Sequence, residues 1–86
     1  MPRISEFYGI AIYMYYRDHL PPHFHALYAG WEANVEISSG NLMDGQLPAA
    51  ARRLVKTWAG GHREELLDDW ERARAGRDLT PIAPLE

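Results

Sequence analysis

Apolar and polar residues alternate along the first half of the chain, a pattern typical of β-strands with one buried face. In the segment 7–16 every second residue is large and apolar, and the opposite face begins with the small residues Gly9 and Ala11. The large set comprises Tyr8, Ile10, Ile12, Met14 and Tyr16. This pattern predicts a first strand over residues 7–16. Pro21 and Pro22 end the pattern, because prolines are not accommodated inside a central strand.

The segments 23–29 and 31–38 predict a β-hairpin. They are joined at Ala29 and Gly30, a two-residue connection that suits a tight turn because glycine readily takes a positive φ. The predicted register makes one face apolar, with Tyr28 opposite Trp31, Ala26 opposite Ala33 and Phe24 opposite Val35. It makes the other face more polar, with Leu27 opposite Glu32, His25 opposite Asn34 and His23 opposite Glu36. The two histidines are therefore predicted to share the polar face.

The second half of the chain changes to helical periodicity. A short strand is predicted over 41–47, helices over 48–59 and 62–75, and an irregular tail over 76–86. The predicted buried stripes are Ala51, Leu54, Val55 and Trp58 on the first helix, and Leu66, Leu67, Trp70 and Ala73 on the second. The three tryptophans, Trp31 included, are predicted to lie in the core.

These elements predict one domain over residues 1–86, of the α+β class. Its sheet is an antiparallel meander of three to four strands, followed by two helices packed on one face. The helices are expected to cover the face that carries Trp31 and Val35. The histidine face is then expected to stay open to solvent or to a partner.

Composition excludes several classes of function. The chain has no cysteine, which excludes disulfides, thiolate metal sites and cysteine catalysis, and which suits a cytoplasmic location. No segment approaches the roughly 20 apolar residues of a membrane span. The net charge of −3 provides no overall attraction to nucleic acid, so RNA binding would require a local basic patch. The candidates for such a patch are Arg17, Arg52, Arg53 and Lys56.

The segment 18–27, "DHLPPHFHAL", carries the most chemical information because it contains three of the four histidines. Side chains at i and i+2 on one strand face are about 6.5–7 Å apart at the backbone, which lets two imidazoles converge on one metal ion. His23 and His25 with Glu36 would form a two-histidine, one-carboxylate set of the kind that binds Zn²⁺ or Fe²⁺. His19 adds a further ligand if the Pro-Pro turn folds back.

A metal-free alternative uses the same two histidines on RNA. His23 and His25 would act as general base and general acid on a ribose 2′-hydroxyl and the leaving oxygen, as in a ribonuclease. A nearby cation would stabilise the charge that develops on the phosphate. The candidate RNA-binding residues are the four basic residues named above.

The motifs "FYGI", "DHLPPHFHA" and "HREELLDDWERA" resemble those of a bacterial family, domain of unknown function 4160, over nearly the whole chain. The family's hallmark histidines match His19, His23, His25 and His62. The resemblance implies a small member of a two-gene, toxin–antitoxin-like module. It also implies a cognate partner of the kind called domain of unknown function 2442, and it assigns no catalytic residues.

Three hypotheses follow from the sequence. The first is a toxin-like component that binds its cognate protein and, through the basic residues, RNA. The second is a metal-binding module, and the third is an interaction domain without catalytic activity. Tyrosines along the first predicted strand are compatible with a homodimer.

Overall fold

A computed structural model describes residues 2–86 and shows an α+β fold with an antiparallel sheet followed by two helices. The sheet has five strands in the order β1-β2-β3-β4-β5, so that each strand pairs with its neighbours in the chain. The strands are β1 (Arg3–Phe7), β2 (Ile10–Tyr13), β3 (His23–Tyr28), β4 (Trp31–Glu36) and β5 (Leu42–Gly45). The helices are α1 (Ala49–Gly61) and α2 (Arg63–Arg74).

The prediction of a single first strand over 7–16 is wrong, because this region contains a turn. Tyr8 and Gly9 both have positive φ, at 51° and 78°, and they reverse the chain between β1 and β2. Phe7 pairs with Ile10 directly across this turn. The strand count is therefore five and not three to four. Alternation of large and small residues concealed the turn, since Gly9 fits both a strand face and a tight turn.

The predicted β3–β4 hairpin is confirmed in its register. Phe24 pairs with Val35, and His23 pairs with Glu36. Ala29 and Gly30 form the turn with φ of 47° and 86°, the left-handed conformation expected of a type I′ connection. The register places His23 and His25 on the same face of the sheet.

Residues of the sheet, of both helices and of the tail form the core, in which Trp58 of α1 is fully buried. The Trp58 ring lies 5.7 Å from that of Phe24 and 5.2 Å from that of Phe7. Trp70 is buried as predicted, but Trp31 is 43% exposed because it begins β4 at the hairpin turn. On α2, Leu67 is exposed and Asp69 is fully buried, which differs from the predicted apolar stripe.

The tail that follows α2 has no regular structure, yet three hydrogen bonds attach it to the body. The Thr80 amide donates to Asp69, the Ile82 amide donates to the Ile4 carbonyl, and Trp58 Nε1 donates to the Ala83 carbonyl, each at 2.8 Å. Neither helix in the described chain has the length and apolar character needed to cross a membrane.

Candidate functional site

The loop between β2 and β3 folds back over the start of β3. Arg17 adopts a positive φ of 56°, and its amide donates to the Ala73 carbonyl at the end of α2. The Leu20–Pro21 peptide bond is cis, and the Pro22 carbonyl accepts from the Ile37 amide. These contacts place Asp18 directly above the two histidines of β3.

Asp18, His23 and His25 form a compact cluster around one carboxylate oxygen. Asp18 Oδ2 lies 3.1 Å from His23 Nε2 and 3.0 Å from His25 Nε2. One potential ligand atom from each of the three residues lies within 4.8 Å of the other two. The Asp18–His23–His25 cluster therefore has the composition and spacing of a two-histidine, one-carboxylate metal site.

The expectation of an open histidine face is wrong for these two residues. The His23 side chain has no exposed surface, and the His25 side chain is 10% exposed. The Trp70 ring of α2 lies 5.3 Å from the His23 ring, and the Tyr15 ring lies 4.0 Å from that of His25. The loop and α2 together cover a face that the sequence pattern alone assigned to solvent.

The hydrogen-bonding pattern of His23 is unusual. Its Nδ1 lies 2.8 Å from the Pro21 carbonyl oxygen, which can only accept, so Nδ1 carries the proton of the neutral ring. In that tautomer Nε2 presents a lone pair to Asp18 Oδ2, and two acceptors face each other at 3.1 Å. Such a contact is favourable only if a second proton or a metal cation is bound at Nε2.

His25 has a less complete set of partners than His23. Its Nε2 faces the same Asp18 oxygen, whereas its Nδ1 is buried and has no hydrogen-bond partner within residues 2–86. A metal-bound histidine usually donates its second ring N–H to a fixed acceptor. His23 satisfies that rule through Pro21, and His25 does not.

Electrostatics favour a charged Asp18. Partial burial opposes ionisation, but hydrogen bonds from the His25 ring and from the His19 amide, with a smaller electrostatic effect of the two neighbouring imidazoles, outweigh it and lower the pKa of Asp18. Burial, followed by the charges of Glu32 and Asp18, raises the pKa of Tyr15. The cluster thus combines an anionic ligand with a neutral phenol beside it.

The structure separates the predicted metal ligands. It brings together His23 and His25, but Glu36 lies apart and accepts a hydrogen bond of 2.6 Å from Ser39. The His19 ring stacks on that of His23 at 4.8 Å, and its side chain is 67% exposed at the edge of the cluster. Register alone pointed to Glu36, because it is the residue opposite His23.

The sequence prediction missed Asp18, which supplies the carboxylate of the cluster. Periodicity places residues on a strand face, but it does not place a residue in an irregular loop. The Pro-Pro turn could have indicated Asp18, because a loop that folds back far enough to bring His19 to β3 also brings its neighbour Asp18 there.

The predicted RNA-binding residues do not form one patch. Arg17 lies at the carboxyl end of α2, where its amide donates to the Ala73 carbonyl at 3.3 Å. Arg52, Arg53 and Lys56 lie on α1, along a groove next to the turn before β5. His62 is separate from both groups and bonds Glu65 at 2.6 Å, a local contact at the start of α2.

Comparison with known protein families gives a match over most of the chain. The sequence model of a family described as "Domain of unknown function (DUF4160)" matches residues 9–71, which include the whole cluster and both hairpin strands around it. No curated protein and no solved structure matches the chain.

Proposed function

Because the chain belongs to the family described as domain of unknown function 4160, whose description assigns no activity, we propose its function from the geometry of the site: binding of a divalent metal ion. The ligands in this proposal are His23 Nε2, His25 Nε2 and the Asp18 carboxylate. The ion is Zn²⁺ or Fe²⁺, since two imidazoles and one carboxylate suit both metals.

The observation that supports this proposal best is the contact between His23 and Asp18. When the buried His23 ring is neutral, its Nδ1 donates to the Pro21 carbonyl and the lone pair of its Nε2 faces a carboxylate oxygen. A cation between the two atoms converts this repulsion into two metal–ligand bonds, and it recruits His25 at the same time. The competing explanation is a buried His23 imidazolium paired with Asp18, which needs no metal.

The test is metal binding by protein purified without a histidine tag. Zn²⁺ and Fe²⁺ (the latter without oxygen) would each be titrated calorimetrically, and bound metal would be measured by elemental analysis. Asp18→Asn removes the charged ligand, and its matched control is Glu36→Gln, which neutralises the carboxylate opposite His23 that lies outside the cluster. We expect one metal per chain in the wild type, unchanged affinity in Glu36→Gln, and at least a ~10–100-fold loss in Asp18→Asn.

Substoichiometric metal in the wild type would contradict the proposal and favour the imidazolium pair. Equal losses in Asp18→Asn and Glu36→Gln would place the metal elsewhere. Circular dichroism of each variant shows whether the protein is still folded when metal binding is lost.

The toxin-like role in a two-gene module, which the resemblance of the sequence motifs implies, is a second proposal. In this proposal the chain binds a small cognate protein, and the metal cluster fixes the β2–β3 loop that presents His19 and Leu20 at the surface. Both side chains are more than half exposed. Burial of His23 disfavours the ribonuclease hypothesis, since a general acid or base must contact its substrate.

Growth assays address this second proposal. The wild type and a His23→Ala/His25→Ala variant would each be induced with and without the neighbouring gene. Toxicity relieved by the neighbour, together with co-purification of the two products, is the expected result. A neighbour that neither binds nor changes growth would refute the role while leaving the metal site untouched.

A further inference from the structure

The two helices carry net charges of opposite sign. The sequence of α1 contains three basic residues and no acidic residue, namely Arg52, Arg53 and Lys56. The sequence of α2 carries three arginines but also the five carboxylates Glu64, Glu65, Asp68, Asp69 and Glu71, so its net charge is −2 where that of α1 is +3. A chain with a net charge of −3 therefore presents a concentrated positive surface along α1.

The three basic side chains line a groove of about 370 Å³ between α1 and the turn that precedes β5. The other wall is formed by Gly40, Asn41 and Leu42, and the lining contains no carboxylate. Lys56 Nζ donates to Asn41 Oδ1 at 3.0 Å, which fixes the ammonium group at the groove. By contrast, both cavities next to α2 are lined by Glu64 and Glu65.

Within residues 2–86, Arg52, Arg53 and Lys56 make no ion pair, whereas Arg3, Arg72 and Arg74 each contact a carboxylate. Arg52 and Lys56 are four residues apart and so lie on one side of the helix, with Arg53 adjacent. The first turn of α1 contains no acidic residue to offset the positive end of the helix dipole. Like charges thus accumulate at one place without an internal counterion.

We propose that this groove, formed by Arg52, Arg53, Lys56 and residues 40–42, binds the phosphodiester backbone of single-stranded RNA. Two guanidinium groups offer paired donors that match phosphate oxygens, and the lysine adds a point charge. A base of a single strand is free to pack against a side chain at the groove, whereas a base in a duplex is stacked between its neighbours, so a single strand fits this site better than a duplex. Leu42 adds a partly buried apolar surface beside the phosphate-binding groups, where a base can pack.

This inference is independent of the metal proposal, because no residue of the groove belongs to the Asp18–His23–His25 cluster. Binding would be measured by fluorescence anisotropy with a labelled oligouridylate in the presence of a metal chelator. Three phosphate contacts predict a slope of log K against log salt of about −2, which is a loss of about 20-fold between roughly 50 and 200 mM salt.

The decisive variant is Arg52→Gln/Arg53→Gln/Lys56→Gln, compared with Arg63→Gln/Arg74→Gln/Arg77→Gln. Both remove three exposed positive charges, so they change the net charge equally. We expect the groove variant to bind at least about tenfold more weakly than the wild type, and the control variant to bind within about twofold of it. Thermal unfolding of both variants establishes that they remain folded.

Four results would overturn the proposal. The first is absence of oligouridylate binding by the wild type, and the second is an equal loss in both triple variants. The third is competition by polyglutamate as effective as that by unlabelled RNA at equal charge, which would assign the groove to an acidic protein segment. Competition by inorganic phosphate alone at millimolar concentration, with no preference for the oligonucleotide, would likewise reduce the site to a simple anion site and refute RNA binding.

Discussion

Asp69 is a fully buried carboxylate on a helix that otherwise exposes its acidic residues. Its Oδ1 accepts from the Thr80 amide, and its Oδ2 has no hydrogen-bond partner in the described part of the chain. Burial raises the pKa of Asp69, and the hydrogen bond from Thr80 only partly offsets this effect. The folded state therefore holds a proton to higher pH than the unfolded chain does.

This pKa shift makes folding stability depend on pH through Asp69. Between the unfolded pKa of about 3.9 and the raised folded pKa, the folded state binds more protons than the unfolded chain. The contribution of Asp69 to the free energy of unfolding therefore falls as pH rises through this range. Asp69→Asn cannot ionise and keeps an acceptor for the Thr80 amide. We expect the stability of Asp69→Asn relative to wild type to increase as pH rises from about 4 to about 7, measured by urea unfolding.

Asp68→Asn serves as the control for this change, because it removes an exposed carboxylate from the same turn. A relative stability of Asp69→Asn that stays constant over the pH range would show that Asp69 does not titrate with folding.

At the scale of single residues, the sequence predicted side chains on regular strands and failed for those in loops. The alternation of β3 and β4 placed His23 and His25 together on one face, as the register shows. It did not reveal that a loop buries them, nor that Asp18 supplies the carboxylate. Periodicity indicates the face of the sheet on which a side chain lies. Whether an irregular loop then buries that side chain depends on the path of the whole loop.

At the scale of elements, glycines at strand ends determine how the sheet is built. Gly9 and Gly30 lie in the two-residue turns of the β1–β2 and β3–β4 hairpins, and Gly45 ends β5 with φ of 78°. The alternation over residues 7–16 places Gly9 on a strand face, and the prediction therefore merges β1 and β2 into one strand. Gly30 was correctly predicted to lie in a turn, because apolar residues alternate in matching register on both sides of it.

Gly45 is expected to be the least replaceable glycine of the sheet. A Cβ at this position would contact the Glu32 carbonyl oxygen and lie only 2.7 Å from Ala33 Cα, and neither backbone atom can move without disturbing β4. Gly45→Ala should cost about 3 kcal/mol or more, from left-handed strain and overpacking together. The measurement is the free energy of unfolding in urea.

Gly30→Ala is the matched comparison. Gly30 also has a positive φ, of 86°, but a Cβ there would meet nothing within 4 Å. Gly30→Ala should therefore lower the free energy of unfolding only by the strain of the left-handed conformation, about 1–2 kcal/mol. Equal decreases in the free energy of unfolding for Gly45→Ala and Gly30→Ala would show that the close approach of Gly45 to β4 adds nothing to the cost of the substitution.

At the scale of the whole molecule, the order of elements was predicted because neighbours in the chain are also neighbours in the sheet. The attachment of the tail was predictable only in part. An apolar residue in a polar tail indicates packing against the body, and Ile82 is 4% exposed. The polar contacts of the tail with Asp69, Ile4 and Trp58 involve backbone groups, which the sequence pattern does not describe.

Ile82 is expected to hold the tail against the body. Ile82→Ala removes a buried side chain beside the β1 edge and should destabilise the protein by about 2–4 kcal/mol. Hydrogen exchange of the Ile82 amide, which bonds to Ile4, should accelerate at the same time. Leu20→Ala, at a side chain that is 63% exposed, should change stability by less than about 0.5 kcal/mol. Unchanged exchange at Ile82 would indicate that the backbone contacts suffice.

Metal binding should stabilise the entire fold, because the cluster joins the β2–β3 loop to β3. With metal at about 100 times its dissociation constant, the gain is about 2.7 kcal/mol, provided that the unfolded chain does not bind it. Each kcal/mol raises the melting temperature of a domain of this size by about 4–8 °C. Thermal unfolding of the wild type should show this increase on addition of Zn²⁺, and Asp18→Asn should show none. A similar increase in Asp18→Asn would mean that the ion binds elsewhere.

The hydrogen bond between Ile82 and Ile4 also bears on the rate of folding. All pairings in the sheet join strands that are consecutive in the chain, so they close short loops and lower the contact order, which favours rapid folding. The contact between residues 4 and 82 closes nearly the full length of the chain and carries the largest loop-closure entropy. We therefore expect the meander to form in the folding transition state while the tail docks afterwards, so that changes at Ile82 accelerate unfolding and leave the folding rate nearly unchanged.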